Sequence, residues 1–414
     1  MRRKWFGGLA IAAVLVTASA TAVSAANQVK RTTFVGTPIV LHVSAPVTGP
    51  AFQFPGMYAG PKAAARAINA AGGIDGRQLV IKTCDTAFDP NQEIACGRDA
   101  ISSHAIAEVG AFVIPSSGTF EKMLAKAGIP SVGEQAVVPP SFQGLNVFPS
   151  DDPQHEQALC TSPQAAKLSG SNRVAAIVPQ SPNGEADGKT YADAAKREGA
   201  NYLGTISAPL STTDYTPYVQ QLANLGNPTT VIIAGLPAAQ GASFMLASHS
   251  LGKTWLECTG GGIFTGGELL DLGPAAGNLL ECTTDMPLTA KTPRMAEFIR
   301  DMKAEYAAGD KAADLNIKTY NEVSLRGWRA VQIAAAALKA INGPLTGSAL
   351  RLKLHTMKFK DLGALFTPVD YTKPIGFDTF PKIYNDWAQF ARWDPKVKNW
   401  VLVGKAVQTV PLSH

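Results

Sequence analysis

Residues 38–85 read PIVLHVSAPVTGPAFQFPGMYAGPKAAARAINAAGGIDGRQLVIKTCD, and this stretch decides the fold class. It predicts a strand over Ile39–Ser44, a helix over Tyr58–Ala71 that ends at Gly72-Gly73, and a second strand over Gln78–Thr83. A strand, a helix and a further strand in this order form a βαβ unit. Because such a unit makes its two strands parallel, we expect a mostly parallel sheet with helices on both faces.

The same alternation continues along the chain and then starts a second time. The next predicted elements are a helix over Gln92–Ser103, a strand over Glu108–Ile114, a helix over Phe120–Ala127 and a strand over Ile129–Val132. After the turn-rich stretch Val138–Pro153, a new series begins with a helix over Glu156–Leu168 and a strand over Arg173–Val178. Two separate series predict an α/β protein with two lobes.

Two long helices follow the second series, over Pro293–Ala307 and Asn321–Ile341, without a strand between them. Helices without a strand between them are expected to pack on a sheet formed by earlier strands. We therefore predict an N-terminal lobe from residues 30–150 and 288–360, and a C-terminal lobe from residues 151–287 and 361–414. The tail after Gly363 is expected to form short strands and turns.

Residues 1–25 have the pattern of a cleaved signal peptide. Arg2, Arg3 and Lys4 precede an apolar run over Leu9–Val16, and the small residues Val23-Ser24-Ala25 predict cleavage before Ala26. The apolar run is shorter than the roughly 20 residues that a membrane-spanning helix needs. The paired arginines also resemble a twin-arginine signal, so the export route stays open.

No cysteine precedes Cys84, which excludes a lipid-modified cysteine at the cleavage site. We expect an exported protein, periplasmic or extracellular, that is soluble after cleavage and is not a lipoprotein.

Composition excludes several classes of protein. The chain has 414 residues, of which 46% are hydrophobic and 17% are charged, enough for two ordinary cores and unlike a disordered or fibrous chain. Without the three basic residues of the signal, the formal charge of +5 falls to +2. This balance is too small for a nucleic-acid or anionic-lipid partner.

Five cysteines in an exported chain suggest disulfide bonds. Their spacing suggests two pairs, Cys84 with Cys96 and Cys258 with Cys282, which leaves Cys160 unpaired. Five reduced, buried thiols are the alternative. No cysteine pair has CxxC spacing and the histidines form no HExxH pattern, so we expect no metal site.

Motifs for cofactor or covalent chemistry are not found. Residues 247–254 match a relaxed phosphate-loop pattern, but there a predicted helix runs into Gly252 and a strand follows, the reverse of a phosphate loop. The glycine-rich stretch Gly260–Gly267 lacks GxGxxG spacing, and no GxSxG occurs. We therefore expect no cofactor and no enzymatic activity.

Two loops lie where a ligand is expected, at the carboxyl ends of predicted parallel strands. Ser116-Ser117-Gly118-Thr119 joins a strand to a helix, and its amides and hydroxyls can hold a carboxylate or serve only as a helix cap. The second loop, residues 47–54, carries Phe52 and Phe54. Phenylalanines on a loop are costly unless something covers them.

These motifs carry a family resemblance. APVTGPAFQFPG from Ala45, AINAAGGIDGRQLVI from Ala67, DTAFDPNQEIACGRDAI from Asp85, the Ser116–Thr119 turn and AGIPSV from Ala127 resemble the solute-binding proteins of branched-chain amino-acid ABC transporters. Asn69 to Arg77, followed by Asp85 and Asp89-Pro90, is the most specific part. The resemblance implies a type I periplasmic-binding fold, in which two Rossmann-like lobes with parallel sheets are joined by a three-strand hinge and enclose a ligand.

The resemblance also implies candidate ligand-binding residues. Ser116 and Ser117 fall on the turn that holds a ligand carboxylate in relatives, Phe54 falls where an aromatic side chain covers the ligand, and the second carboxylate-binding segment is residues 133–137. The full candidate set is Phe54, Ser116, Ser117, Thr119, Gln135, Asn183, Leu236 and Gly261.

One departure from the family pattern concerns the ligand's charge. Relatives place an acid for the ligand ammonium after the strand that corresponds to Trp255–Cys258, where this chain has Thr259 and then Gly260-Gly261-Gly262. A buried ammonium without a carboxylate partner is costly. A small carboxylate or other organic solute is therefore favoured over an α-amino acid, unless Glu134 or Glu268 provides the missing acid.

The expected function is capture of a small organic solute and its delivery to an ABC permease, and we expect the protein to be a monomer. A ligand-sensing subunit for a membrane receptor is the first alternative. An exported hydrolase is disfavoured because the nucleophile and metal motifs are missing.

Overall fold

The structure is a computed structural model that describes residues 33–49, 51–151, 156–360, 362, 368–376 and 380–409. The predicted signal peptide, residues 1–25, lies outside these ranges. Across the described part of the chain, no helix has both the length and the apolar character needed to cross a membrane.

Strands and helices alternate along most of the chain. The strands are β1 (Ile39–Ala45), β2 (Leu79–Asp85), β3 (Ala107–Val109), β4 (Ser131–Val132), β5 (Val147–Phe148), β6 (Arg173–Pro179), β7 (Asn201–Ala208), β8 (Thr230–Ile233), β9 (Leu256–Gly260), β10 (Leu279–Thr283), β11 (Lys358–Phe359), β12 (Val369–Asp370), β13 (Trp387–Asp394) and β14 (Asn399–Gln408). The helices are α1 (Gly56–Ala70), α2 (Pro90–Ser102), α3 (Ser117–Lys126), α4 (Pro140–Gln143), α5 (Pro163–Ser169), α6 (Pro182–Glu198), α7 (Thr216–Asn224), α8 (Ala238–Ser250), α9 (Gly266–Leu272), α10 (Pro293–Ala307), α11 (Val323–Lys339) and α12 (Gly347–Leu354). Short 3₁₀ helices occur at Gln157–Thr161, Gly273–Asn278 and Lys311–Ala313.

The first lobe is built on a five-stranded parallel sheet with the order β2-β1-β3-β4-β5. Strand β1 lies between β2 and β3, and six of its seven residues are buried. Such a strand has helices on both of its faces, which explains why its sequence is a continuous apolar run rather than an alternating one. This is the βαβ arrangement predicted from residues 38–85.

Helix α11 follows β10 in the chain, yet it packs on α1 in the core of the first lobe. Two glycines allow the helices to come close. A Cβ at Gly327 would lie 2.7 Å from Pro61 Cδ, and a Cβ at Gly60 would overlap the carbonyl oxygen of Ser324. Trp328 of α11 is buried in the same core as β1. The helix therefore completes the first lobe.

The second lobe is built on a seven-stranded sheet with the order β14-β13-β10-β9-β8-β6-β7. Strands β6 to β10 are parallel, whereas β13 pairs antiparallel with both β10 and β14. The pair β13 and β14 is longer than the short strands predicted for the tail. Trp393 of β13 and Trp400 of β14 stack edge to face with ring centroids 5.9 Å apart, so an aromatic pair stabilises this end of the sheet.

The chain passes between the two sheets three times, after β5, after β10 and before β13. The third passage divides the tail between the lobes. Val369 and Tyr371 are buried in the core of the first lobe, where the Tyr371 hydroxyl donates to Phe148 O at 2.9 Å, whereas the chain joins the second sheet from Trp387 onward. Two lobes connected in this way form a cleft at their junction.

A buried ion-pair group, here called the hinge network, consists of Asp151, Asp285, Arg326 and Arg329. Arg326 Nε lies 2.7 Å from Asp285 Oδ2 and 3.1 Å from Asp151 Oδ2, and Arg329 pairs with both carboxylates. Burial opposes ionisation of Asp285, but the two guanidinium groups prevail and lower its pKa. The network joins the first two passages to helix α11.

The structure confirms one predicted disulfide and corrects the other. Cys84 and Cys96 are bonded, and they join β2 to α2. The predicted bond between Cys258 and Cys282 is wrong, because Cys258 bonds to Cys160 and Cys282 is a free, buried thiol. The register explains this result. Cys258 lies opposite Leu280, two residues from Cys282, so the two cysteines are diagonal neighbours. Cys160 packs across the sheet on Cys258, with a Cα separation of 6.1 Å.

Candidate ligand-binding site

A cavity of about 560 Å³ lies between the two lobes. Its walls come from loops at the carboxyl ends of parallel strands in both sheets, the place where open α/β sheets bind ligands. The volume falls within the range of small-molecule pockets. The cavity is therefore the candidate binding site.

Four phenylalanines form much of the first-lobe wall. Phe52 contacts Phe88 with ring centroids 4.8 Å apart, and Phe112 lies edge-on to both Phe52 and Phe54 at 5.8 Å. Edge-to-face contacts of this kind hold the rings in fixed orientations. The cluster supplies a rigid apolar surface for the ligand. Phe52 and Phe54 occur together on the loop after β1 because they pack against Phe88 and Phe112.

Asp85, the last residue of β2, holds this loop in place. Its carboxylate accepts hydrogen bonds from the amides of Val47 and Ala87 at 2.9 Å and from the Thr48 hydroxyl. Partial burial opposes ionisation, but these hydrogen bonds prevail and lower the pKa of Asp85. Ala87 and Phe88 both have positive φ values, 47° and 57°, so the backbone is strained where it turns Phe88 into the cluster.

The first turn of α3 presents two polar groups to the cavity. Ser117 is 2% exposed and lines the cavity beside Gly118. The amides of Thr119 and Phe120 donate to Ser116 O. The Gly118 amide, by contrast, has no hydrogen-bond acceptor among the described residues. A free amide at a helix N-terminus favours a negatively charged group.

The neighbouring Ser116 points elsewhere. Its hydroxyl donates to Pro90 O at 3.0 Å, and its amide donates to the carboxylate of Glu93 at 2.5 Å. Glu93 also accepts the Ile114 amide at 2.9 Å. Ser116 therefore joins α3 to α2 rather than facing the cavity.

The second lobe supplies the opposite wall. The first turn of α6 contributes Pro182 and Asn183, the second turn contributes Asp187, and Tyr191 follows about one turn later. The Tyr191 hydroxyl donates to the side-chain oxygen of Gln157, which comes from the 3₁₀ helix after the first passage. This wall is more polar than the first, so the two sides of the cavity offer different chemistry.

The charge of the cavity is unusual for an anion site. No lysine or arginine lines it within the described part of the chain, and Asp187 provides a carboxylate. Gln135 is 7% exposed, and its Oε1 atom has no hydrogen-bond partner among the described residues. A ligand anion would thus depend on helix amides, hydroxyls and a side-chain amide rather than on a cation.

Two glycines give the ligand room on the second-lobe side. A Cβ at Gly261 would lie 2.7 Å from Glu322 Oε2, and a Cβ at Gly260 would lie 2.7 Å from Gln157 Nε2. Any larger residue would displace the side chains behind the wall. Gly260 and Gly261 therefore form a part of the cavity wall that has no side chains.

The structure brings five of the eight candidate residues together around the cavity. These are Phe54, Ser117, Gln135, Asn183 and Gly261. The other three lie elsewhere: Ser116 faces α2, Thr119 is exposed on α3, and Leu236 is buried in the core of the second lobe.

The two glutamates considered as partners for an ammonium group also lie outside the cavity wall. Glu134 is fully buried and accepts hydrogen bonds from Ser131 and Ser141. Glu268 forms a capping box with Thr265 at the start of α9. Asp187 is instead the carboxylate that the fold brings to the cavity.

Several lining residues were not predicted, namely Phe88, Phe112, Gln157, Asp187 and Tyr191. Phe88 lies within DTAFDP, one of the stretches that carries the family resemblance, so a signal for it existed. Gln157 and Tyr191 lie on elements whose packing brings them to the cavity, and no local pattern marks them.

Three sulfur atoms among the described residues lie close enough together to be considered as metal ligands. Cys160, Cys258 and Cys282 lie within 4.8 Å of one another. The disulfide between Cys160 and Cys258 leaves a single thiol in this group. Because metal binding by cysteine requires thiolates, the bonded form is not suited to hold a metal ion.

Comparisons with known proteins agree with this architecture. Residues 38–379 match the family described as periplasmic binding protein. A curated relative, Leu/Ile/Val-binding protein homolog 3 of Brucella melitensis, is 25% identical over 338 residues, which cover 80% of this chain and 89% of the relative.

Solved structures share the fold across nearly the whole chain. The fatty acid ABC transporter substrate-binding protein from Thermomonospora curvata superposes with a TM-score of 0.77 and 15% identity, covering 92% of this chain and 96% of that one. An R. palustris solute-binding protein in complex with 4-hydroxybenzoate superposes with a TM-score of 0.74 and 15% identity, covering 91% and 98%. The fold is the type I periplasmic-binding fold.

Proposed function

Because this chain belongs to the periplasmic binding protein family, we propose that it captures a small, largely apolar carboxylate between its lobes and delivers it to an ABC permease. The observation that carries the proposal is the combination of a phenylalanine-lined cavity with the free Gly118 amide and the Ser117 hydroxyl. The apolar wall would bind the body of the solute, and the first turn of α3 would bind its carboxylate.

Capture would work by closure of the lobes. The cavity draws its walls from both lobes, so a bound solute contacts both and stabilises the closed form. The hinge network lies at the passages about which closure would occur. The closed lobes would then present the surface that the permease binds. We propose that the protein works outside the cytoplasm after removal of residues 1–25, as a monomer and without catalysis.

An α-amino acid is the competing ligand, since a curated relative is named as a Leu/Ile/Val-binding protein. Asp187 supports this alternative because it brings a carboxylate to the second-lobe wall, opposite α3. A simple carboxylate is favoured because the first-lobe wall is aromatic and because Thr259-Gly260-Gly261-Gly262 stands where the family resemblance implies an acid for the ligand ammonium.

A thermal-shift screen on ligand-stripped protein tests the proposal. The panel contains benzoate, 4-hydroxybenzoate, phenylacetate, octanoate and leucine, together with benzamide, phenylacetamide and octanamide. A ligand at a hundredfold excess over Kd stabilises the folded protein by about 2.7 kcal/mol, so a binder raises the melting temperature measurably. If no member of the panel raises it, the proposed carboxylate ligand is wrong.

Asp187→Asn separates the two kinds of ligand. If the ligand is leucine, loss of the ammonium partner lowers affinity for leucine strongly. If it is a simple carboxylate, loss of a like charge leaves the affinity unchanged or improves it.

Mass spectrometry of the ligand recovered from the complex tests the absence of catalysis, since a hydrolase would return a cleaved product. A sensor subunit would be indicated if deletion of the gene leaves uptake of the solute unchanged.

A further inference from the structure

Behind the cavity wall, a row of hydrogen-bonded oxygens connects Ser117 to a buried carboxyl group. Ser117 Oγ lies 3.3 Å from Ser141 Oγ, and Ser141 Oγ lies 2.5 Å from Glu134 Oε1. The other carboxyl oxygen, Glu134 Oε2, accepts a hydrogen bond from the Ser131 hydroxyl at 3.1 Å. Ser131, Ser141 and Glu134 are all 0% exposed. Ser117 is the member of the row that lines the cavity.

We propose that Glu134 sets the direction of the Ser117 hydroxyl and thereby determines whether the first turn of α3 offers a hydrogen-bond donor or an acceptor to the solute. This inference rests on the proposed function, since it assigns Glu134 a positioning role for the carboxylate that Ser117 and Gly118 would bind.

Each serine hydroxyl has one hydrogen to donate, so the row has two ordered states. When Glu134 is ionised, Ser141 donates to it and Ser117 donates to Ser141, which leaves Ser117 as an acceptor toward the cavity. When Glu134 is protonated, it donates to Ser141, and Ser141 donates to Ser117. The Ser117 hydrogen then points into the cavity, where a carboxylate can accept it.

Burial and the charge of Glu108 favour the protonated state of Glu134. Glu121 of α3 and Glu108 of β3 face it, Glu108 being bonded to His42 at 2.8 Å. The nearby cation is Lys382, which acts on Glu121 without an ion pair among the described residues. Burial, reinforced by the charge of Glu108, raises the pKa of Glu134 to about 7, although hydrogen bonds from Ser141, Ser131 and Glu121 act in the opposite direction. Burial also raises the pKa of Glu121 well above its usual range.

A link between ligand and proton follows from these two states. Below its raised pKa, Glu134 is neutral and Ser117 donates, so a carboxylate binds well. Above it, Glu134 is negative and Ser117 accepts, and both changes oppose an anion. Binding of an anion must therefore raise the pKa of Glu134 further and take up a proton.

Isothermal titration with benzoate, phenylacetate and octanoate, each beside its neutral amide, tests this inference. For the wild-type protein we expect carboxylate affinity to fall about tenfold or more between about pH 6 and about pH 8.5, since these acids stay ionised throughout. Titration near pH 7 in buffers of different ionisation enthalpy should report proton uptake on carboxylate binding. The amides, which carry no charge, should show a weaker dependence on pH.

Glu134→Gln provides the decisive variant. Its side-chain amide can donate to Ser141 and accept from Ser131, which holds Ser117 in the donating direction. We expect carboxylate affinity near the wild-type value at low pH, little dependence on pH and no proton uptake. Glu257→Gln is the matched control, because Glu257 is another buried glutamate with a pKa raised by burial, to about 8, but it lies on β9 outside the cavity wall. Its titration should match the wild type.

The outcomes separate this inference from the proposed function. If none of the three carboxylates binds the wild-type protein, the proposed function fails and the inference with it. If a carboxylate binds with the same affinity at all pH values and without proton uptake, the inference alone is overturned. A Glu134→Gln variant that keeps the pH dependence would also overturn it.

Discussion

Gly118 and Ser117 concentrate the polar chemistry of the first-lobe wall in one turn of α3. Their neighbour Ser116, identical in type to Ser117, uses its hydroxyl and its amide to bind α2. The difference between the two serines is one of direction alone. At the scale of single residues, the direction of each side chain therefore determines which residues line the cavity. A short motif such as SSGT does not reveal that direction.

The Gly118 amide offers a test at this scale. We predict that Gly118→Pro lowers carboxylate affinity by about tenfold or more, because it removes a hydrogen bond to a charged group worth about 1.5–3 kcal/mol. Proline is tolerated in the first turn of a helix, where no intrahelical partner is lost. Isothermal titration measures the effect, and circular dichroism checks that the fold survives.

Gly118→Ala is the matched control for this substitution. It keeps the amide, and the added Cβ would lie 3.6 Å from Pro140 Cγ, an ordinary contact distance. We expect affinity within about threefold of the wild type, less than the loss of one charged hydrogen bond. Equal losses in the alanine and proline variants would assign the effect to packing rather than to the amide.

At the scale of elements, the cysteines show how sheet register controls covalent pairing. Sequence spacing favoured Cys258 with Cys282 because such a bond closes a short loop. In the parallel register Cys282 lies opposite Gly260, so the side chains are offset by two residues. The 3₁₀ helix Gln157–Thr161 instead places Cys160 against Cys258.

We predict that peptide mapping without reduction finds Cys84 bonded to Cys96 and Cys160 bonded to Cys258. Cys282 should resist alkylation in the folded protein. Burial, together with Glu156 and Glu281, raises the pKa of its thiol, so little reactive thiolate forms. It should react once the protein is unfolded.

Cys282→Ser should keep both disulfides and melt close to the wild-type temperature. Cys258→Ser is the informative counterpart, because it leaves Cys160 with its Sγ 3.4 Å from that of Cys282. A new bond between these two cysteines should then form. Recovery of a Cys258–Cys282 peptide from the wild-type protein would contradict the pairing described above.

At the scale of the whole molecule, buried glutamates are distributed over both lobes. Burial raises the pKa of Glu134 to about 7, that of Glu257 to about 8 and that of Glu322 to about 7. In each case the folded protein holds its proton to a higher pH than the unfolded chain does. The buried hinge network opposes this trend only in part, since its neighbouring charges lower the pKa of Asp285.

The sign of the resulting pH dependence follows from linkage. Between the unfolded pKa near 4.5 and the raised folded values, the folded state binds more protons, so the free energy of unfolding falls as pH rises. We predict that ligand-free protein is more stable near pH 5.5 than near pH 8, by more than about 1.4 kcal/mol, the equivalent of one pKa unit. Urea unfolding at the two pH values measures this.

Glu257→Gln should reduce that difference, because it removes a proton that the folded state retains up to about pH 8. Asp214→Asn on the exposed surface serves as the control, since this carboxyl is fully exposed and should leave the difference unchanged. A wild-type protein whose stability increases with pH would contradict the assignment of neutral buried glutamates.

Local sequence patterns were enough to predict the architecture. The apolar run of β1, the helix that ends at Gly72-Gly73 and the repetition of this pattern predicted two α/β lobes, because hydrophobic periodicity and turn residues act over short distances along the chain. The family resemblance likewise pointed to the Ser117 turn and to Phe54, both of which line the cavity.

Packing between distant segments determines which residues come into contact. Phe88 and Phe112 join the aromatic wall, Asp187 reaches it from the second lobe, and Cys160 replaces Cys282 as the partner of Cys258. Each of these contacts joins segments that are far apart in the sequence, and their geometry depends on sheet register and helix packing. Glu134 shows the same limit, because burial, which the sequence does not state, raises the pKa of its carboxyl group to about 7.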